Sequence, residues 1–136
     1  MTQIRDLMTE TPTTCETSST VADVAQVMRT EDVGPVPIVD GDRLVGIVTD
    51  RDIVLRVVAE GRDASSTTVG DIVSGDLVTV SPDAGLDEAL QLMGQHQVRR
   101  IPVTEGDRLV GIVAQADVAR VADEEQTGDV VQDISR

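Results

Sequence analysis

Chemistry-bearing side chains are few in this 136-residue chain, and their spacing favours binding over catalysis. Thr49 and Asp52 stand three apart, where the apolar run Leu44 to Val48 gives way to a helical pattern. A carboxylate there suits a vicinal diol, and a hydroxyl beside free helix N–H groups suits an anion. The same pair also reads as a capping box, so the spacing serves a helix start as well as a ligand. Arg51 sits between them as an exposed first-turn cation. Sixty-five residues later the segment Gly46 to Asp52 recurs as Gly111-Ile112-Val113-Ala114-Gln115-Ala116-Asp117. Ala114 can neither cap a helix nor bond an anion, whereas Asp117 keeps the carboxylate. Two unequal sites are expected, with the first the better. Arg99 and Arg100 precede Ile101-Pro102-Val103 and concentrate positive charge locally, unless they simply pair with surface carboxylates.

Composition removes most other chemistry. Phe, Tyr and Trp are absent, which excludes aromatic stacking platforms, aromatic cages and any tyrosine acid. One His and one Cys make neither a zinc site nor a Cys–His pair. His96 reads as the end of a helix. Cys15 reads as a small buried hydrophobe without a basic sequence neighbour. Eleven arginines against 25 acids give −14, a field that repels nucleic acid and anionic membranes. The absence of Lys and the excess of Asp over Glu fit a salt-rich cytoplasm or a high-GC genome. No apolar run reaches the roughly 20 residues of a membrane span, and no signal peptide is read at the start. A cytoplasmic protein is expected.

The elements that must position these residues come in two copies. GDRLVGIV occupies 41–48 and again 106–113, and the match spreads in both directions. Asp6 aligns with Asp71, Val21 with Leu86, Met28 with Met93, Pro37 with Pro102, and Asp52 with Asp117. In the first copy, 13–16 is extended, and Val21, Val24, Ala25 and Met28 make one helical face after a Thr20–Asp23 cap. Strands at 36–39 and 44–48 and a helix over 50–60 follow. The second copy predicts strand 78–80, helix 84–95, strands 101–104 and 109–113, and helix 115–122. The fold class is α/β (α+β), two pseudo-twofold-related β-α-β-β-α units. Their extents are 1–66, including most of the linker Gly61 to Thr68, and 67–122. Residues 123–136 form an acidic tail with a possible short helix at 130–134.

This pattern, with GDRLVGIVTDRDI and GQHQVRRIPV, resembles the CBS domain in tandem over residues 1–122. It is similar to the stand-alone CBS pairs of actinobacteria in the hypoxic response protein group. The resemblance implies a regulatory, non-catalytic module, usually a homodimer, that binds AMP, ADP, ATP or S-adenosylmethionine in clefts between halves. It gives Asp52 and Asp117 to ribose and Thr49 to phosphate, with Arg51, Arg99 and Arg100 as possible aids. An adenine pocket would come from Thr14, Cys15, Val36, Pro37, Ile38 and Val48, with Pro102 as the second-copy counterpart of Pro37. All of these also read as plain core residues.

No cofactor or metal is expected, and the missing effector domain implies a partner protein. The alternative is a structural or interaction protein with no nucleotide, favoured by Ala114 and the negative charge. A small hydrolase using Asp52 or His96 ranks far behind. The apolar faces of helices 21–28 and 86–93 predict a self-association surface.

Overall fold

The computed structural model describes residues 2–73 and 77–135, with side chains as far as residue 125. Each repeat folds as expected from its pattern, and the structure is a mixed α/β one. In the first, β2 (Cys15–Glu16) lies parallel to β3 (Val36–Asp40), which pairs antiparallel with β4 (Arg43–Val48). The helix α1 (Val21–Glu31) starts at Thr20, whose side chain accepts from the Asp23 N–H, and stops at Asp32 in a left-handed conformation. In the second, α3 (Leu86–His96) precedes β5 (Arg100–Glu105), which pairs with β6 (Arg108–Ala114). It too stops at a left-handed residue, Gln97.

Packing divides the chain into two units whose limits cross those of the repeats. The first-repeat unit is Thr11–Leu77 with Gly106–Leu109; the second-repeat unit is Met1–Glu10, Val78–Glu105 and Val110–Arg136. The reason is a reciprocal exchange of leading segments. The 3-10 turn Ile4–Asp6 opens the first repeat, yet Ile4 N–H donates to the Ala84 carbonyl at 3.0 Å, and its side chain is fully buried with Leu86, Met93 and Ile101. The turn Val69–Asp71 opens the second repeat, yet Val69 N–H donates to the Ser19 carbonyl at 2.8 Å, and Val69 is buried with Val21, Val24 and Val57. Isolated bridges Gln3–Gly85 and Thr20–Thr68 repeat the same symmetry. Each core therefore takes one apolar side chain from the other repeat's leader.

Several expectations need correction. Ala25 is exposed, and Val27 packs against the core in its place, because the face centred on Val21 and Val24 turns that way. The strand at 78–80 reduces to one bridge, Val80 with Val103. The helix over 50–60 is α-helical only over α2 (Asp50–Ile53) and widens to a π-helical turn at Val54–Val58, where the Ala59 N–H reaches the Val54 carbonyl. That turn carries Arg56, which donates to the Ile72 carbonyl at 2.6 Å. The tail does not contain a separate short helix: α4 runs unbroken over Gln115–Ser135, no proline standing after Pro102 to stop it. The strand β1 (Thr9–Glu10) was not expected, since it is polar and two residues long; it pairs with β6 at Ile112 and Gly111. Its approach needs a glycine, because a Cβ on Gly111 would lie 2.6 Å from Met8 Sδ and 3.0 Å from the Thr9 carbonyl.

The apolar faces of helices 21–28 and 86–93, expected to self-associate, are largely spent on the cores of their own units. Val21 and Val24 fill one core; Leu86, Ala89 and Met93 fill the other. Among the described residues the exposed large apolar side chains are Val54, Leu55, Val58 and Leu77.

Three variants test this packing by calorimetric or circular-dichroism unfolding. Ile4→Ala is expected to cost about 2–5 kcal/mol despite lying at the chain's edge, whereas Val58→Ala, 67% exposed, changes stability by less than about 0.5 kcal/mol. Gly111→Ala is expected to cost about 1–3 kcal/mol through overpacking against Met8.

Candidate functional site

The first-copy motif forms where β4 ends and α2 begins. Thr49 is the N-cap: its hydroxyl accepts from the Asp52 N–H at 3.2 Å, and Asp52 Oδ2 accepts from the Thr49 N–H at 2.9 Å. The two side chains satisfy each other's backbone, which is what a capping box does. The preceding loop brings Gly34 against Asp50, whose Oδ1 lies 3.4 Å from where a Cβ on Gly34 would stand. Asp50 Oδ1 also accepts from the Arg51 N–H, and Arg51 itself is exposed.

The residues assigned to an adenine pocket are chiefly core. Val36, Ile38 and Val48 are fully buried in the first-repeat core with Cys15, and Pro37 is buried too. Thr14 is exposed. Burial pushes the Cys15 thiol up from its ordinary value, and the Asp23 carboxylate adds to the shift. The thiol is therefore protonated and unreactive at neutral pH.

The second-copy motif is built differently. Gln115 N–H donates to the Arg99 carbonyl at 2.7 Å, which ties the loop after α3 to the start of α4. Arg99, Arg100, Ala114, Gln115, Ala116 and Ala119 then line a cleft of about 580 Å³. That volume lies within the roughly 300–1,000 Å³ of small-molecule sites. Three of its six lining residues are alanines, where the first copy has Thr49, Arg51 and Val54. Among the described residues, neither arginine forms an ion pair. Asp117 lies one residue outside the lining and sits 3.7 Å from Arg120. Pro102 is buried, with its carbonyl accepting from the Val80 N–H. His96 ends α3 and is exposed.

Structure thus gathers Arg99 and Arg100 with Ala114, and adds Gln115, Ala116 and Ala119, which sequence reasoning missed. The signal for them was available in the repeat, since they are the counterparts of Asp50, Arg51 and Val54. No cluster of three or more His, Cys, Asp or Glu is placed to hold a metal among the described residues. No helix among them is long and apolar enough to cross a membrane.

A duplicated α/β chain whose second repeat carries a cleft lined by two arginines and three alanines has room there for a small ligand. It belongs to the CBS-domain family, which matches residues 4–59 and 69–124, one domain for each repeat. CBS pairs are regulatory ligand-binding modules. Hypoxic response protein 1 of Mycobacterium tuberculosis is 44% identical over 121 residues, covering 88% of this chain and 85% of the relative. A crystal structure of Hypoxic Response Protein I with two coordinated zinc ions superposes with a TM-score of 0.82 at 43% identity, covering 88% of this chain and 98% of that one. The CBS domain pair of protein MJ0100, in complex with 5′-methylthioadenosine and S-adenosyl-L-methionine, superposes with a TM-score of 0.79 at 25% identity, covering 92% and 98%.

The raised thiol makes a signed prediction. Its protonated form is favoured by folding, so that stabilisation is complete below the ordinary thiol range and is lost as pH rises through the folded value. Cys15→Ala should flatten the alkaline fall of unfolding temperature seen by calorimetry. Native protein should resist alkylation by iodoacetamide at pH 8 until denatured; rapid native labelling would contradict the burial.

Proposed function

We propose that this chain is a non-catalytic sensor that binds an adenosine-containing ligand in the cleft of its second repeat. The observation that carries the reading is the cleft of about 580 Å³ bounded by Arg99, Arg100, Gln115 and three alanines. Family membership and the adenosine ligands of the MJ0100 pair support the ligand class. Weight moves from the first copy to the second for a physical reason. Thr49 and Asp52 each accept from the other's backbone N–H, which leaves the Thr49 O–H and Asp52 Oδ1 for a ligand, whereas the second-copy motif lines an open cleft. Asp117 is within reach of the same end of α4 and supplies the carboxylate for a ribose diol once it leaves Arg120.

Ligand binding would act through a population shift, which requires unequal affinity for two arrangements of the module. A homodimer and an effector protein belong to this reading, as does a cytoplasmic stress-response setting. A second copy would seat on Val54, Leu55 and Val58, which are 54%, 50% and 67% exposed. Residues 50–63 hold three arginines against four acids, far nearer neutrality than the chain's net charge of −14, so a second copy meets little charge repulsion at this stripe.

Calorimetric unfolding with adenosine-containing compounds tests the reading. A ligand at about 100 times its dissociation constant should stabilise by about 2.7 kcal/mol, a shift of several degrees. Thr49→Ala should lower stability by about 0.5–2 kcal/mol as a lost cap yet leave the ligand-induced shift intact. No shift with any of AMP, ADP, ATP, 5′-methylthioadenosine or S-adenosylmethionine would leave the interaction-protein alternative. Light scattering at micromolar concentration should give a dimer mass, reduced to a monomer by Leu55→Glu with Val58→Glu.

A further inference from the structure

Thr11 is held in a backbone conformation that its residue type resists. Its φ is +44°, in the left-handed region, which a β-branched side chain rarely adopts. Pro12 follows, and a proline pushes the residue before it towards extended backbone. Asp32 and Gln97 are left-handed too, but each ends a helix, where its N–H donates to the Met28 or Met93 carbonyl. Thr11 ends no helix. It opens the first-repeat unit, directly after Glu10 closes the leading segment that packs with the second repeat. Strain of this kind persists only where the surrounding contacts impose it.

Those contacts are the anchors of the leader on the second repeat. Ile4 fills its core, the Arg5 N–H donates to the Pro82 carbonyl at 2.9 Å, the Arg5 side chain pairs with Asp83, and Thr9 and Glu10 pair with Ile112 and Gly111. The leader of a second copy carries the same residues and would make every one of these contacts. We propose that residues 2–10 are an exchangeable arm: when Thr11 straightens, the arm leaves its own second repeat and docks Ile4 into that of a second copy, which returns its own arm. Mutual exchange closes a two-fold pair, so it stops at the dimer. Closed and exchanged forms share their contacts and differ at two hinges, whose strain the exchanged form releases. The cost of association opposes this release, so protein concentration sets the balance. This dimer does not depend on the proposed ligand, and it is distinct from one seated on Val54, Leu55 and Val58.

A disulfide across the arm's docking strand reads the exchange directly. Thr9→Cys with Ile112→Cys, in a Cys15→Ala chain, places thiols at register partners, whose Cα spacing in an antiparallel pair suits a disulfide. The chain is refolded at rising concentration, oxidised with glutathione disulfide and run on a non-reducing gel. A closed chain bonds to itself and runs as a monomer, whereas an exchanged pair is joined covalently. The covalent dimer should grow with concentration and survive the addition of Leu55→Glu and Val58→Glu. Thr11→Gly, which accepts a positive φ without strain, should lower the dimer fraction by about ten-fold or more. In the unsubstituted chain, dimer refolded at high concentration should outlast dilution, because Ile4 must leave its core before the chains part. Monomer alone on the gel at every concentration would overturn the inference, and a dimer seen by light scattering of that same protein would leave the Val54–Val58 interface standing. A covalent dimer that Thr11→Gly leaves undiminished would also overturn it.

Discussion

The exchange of leading segments is the constraint on which the rest of the structure depends. Without aromatic side chains, each unit must close its core with branched aliphatics, and 11 of the 21 buried hydrophobic residues among those described are valines. Such side chains are short, so a gap left by one of them is not filled by its neighbours reaching across. Ile4 and Val69 each occupy a core belonging to the other repeat's helices and strands, and both are completely buried. Neither repeat therefore has a complete core by itself. The backbone bonds Ile4 to Ala84 and Val69 to Ser19 fix the exchange at equivalent points.

That shared frame makes the two site regions comparable, and their differences meaningful. Both motifs stand at the end of a buried strand and the start of a helix, held by left-handed stops at Asp32 and Gln97 in the preceding helices. In the first copy the hydroxyl and carboxylate cap the helix start, and Asp50 occupies the loop side. In the second, alanines open the space and Gln115 pins the loop that carries two arginines. Duplication conserves the scaffold while a handful of side chains sets charge and vacancy. The same asymmetry holds on the outer helix face, where Val54, Leu55 and Val58 correspond to Ala119, Arg120 and Asp123.

Much of the fold was legible because the repeat doubled every signal. The Val21/Val24 face, the Gly41 and Gly106 turns with positive φ, and the apolar run Leu44 to Val48 all appear where their periodicity places them. Legibility failed where tertiary contacts overrode local pattern. Thr9 and Glu10 carry no strand signal, and only pairing with the Gly111 segment makes them β1. The π-helical turn at Val54–Val58 has no period of its own, and Gly128 was too weak a break to divide α4. In the site, Thr49 and Asp52 drew attention because they match a short motif. Ala114 was legible because it stands where the first copy has Thr49; Ala116 and Ala119 were not singled out, though the repeat sets them opposite Arg51 and Val54.

The proposal that the second repeat, not the first, holds the ligand can be checked residue by residue. The most direct measurement is an amide ¹H–¹⁵N spectrum of labelled protein titrated with AMP. Shifts should concentrate at Arg99, Arg100 and Gln115 to Ala119, with Thr49 to Asp52 unmoved. Shifts centred on Thr49 to Asp52, with the second-repeat cleft silent, would contradict it.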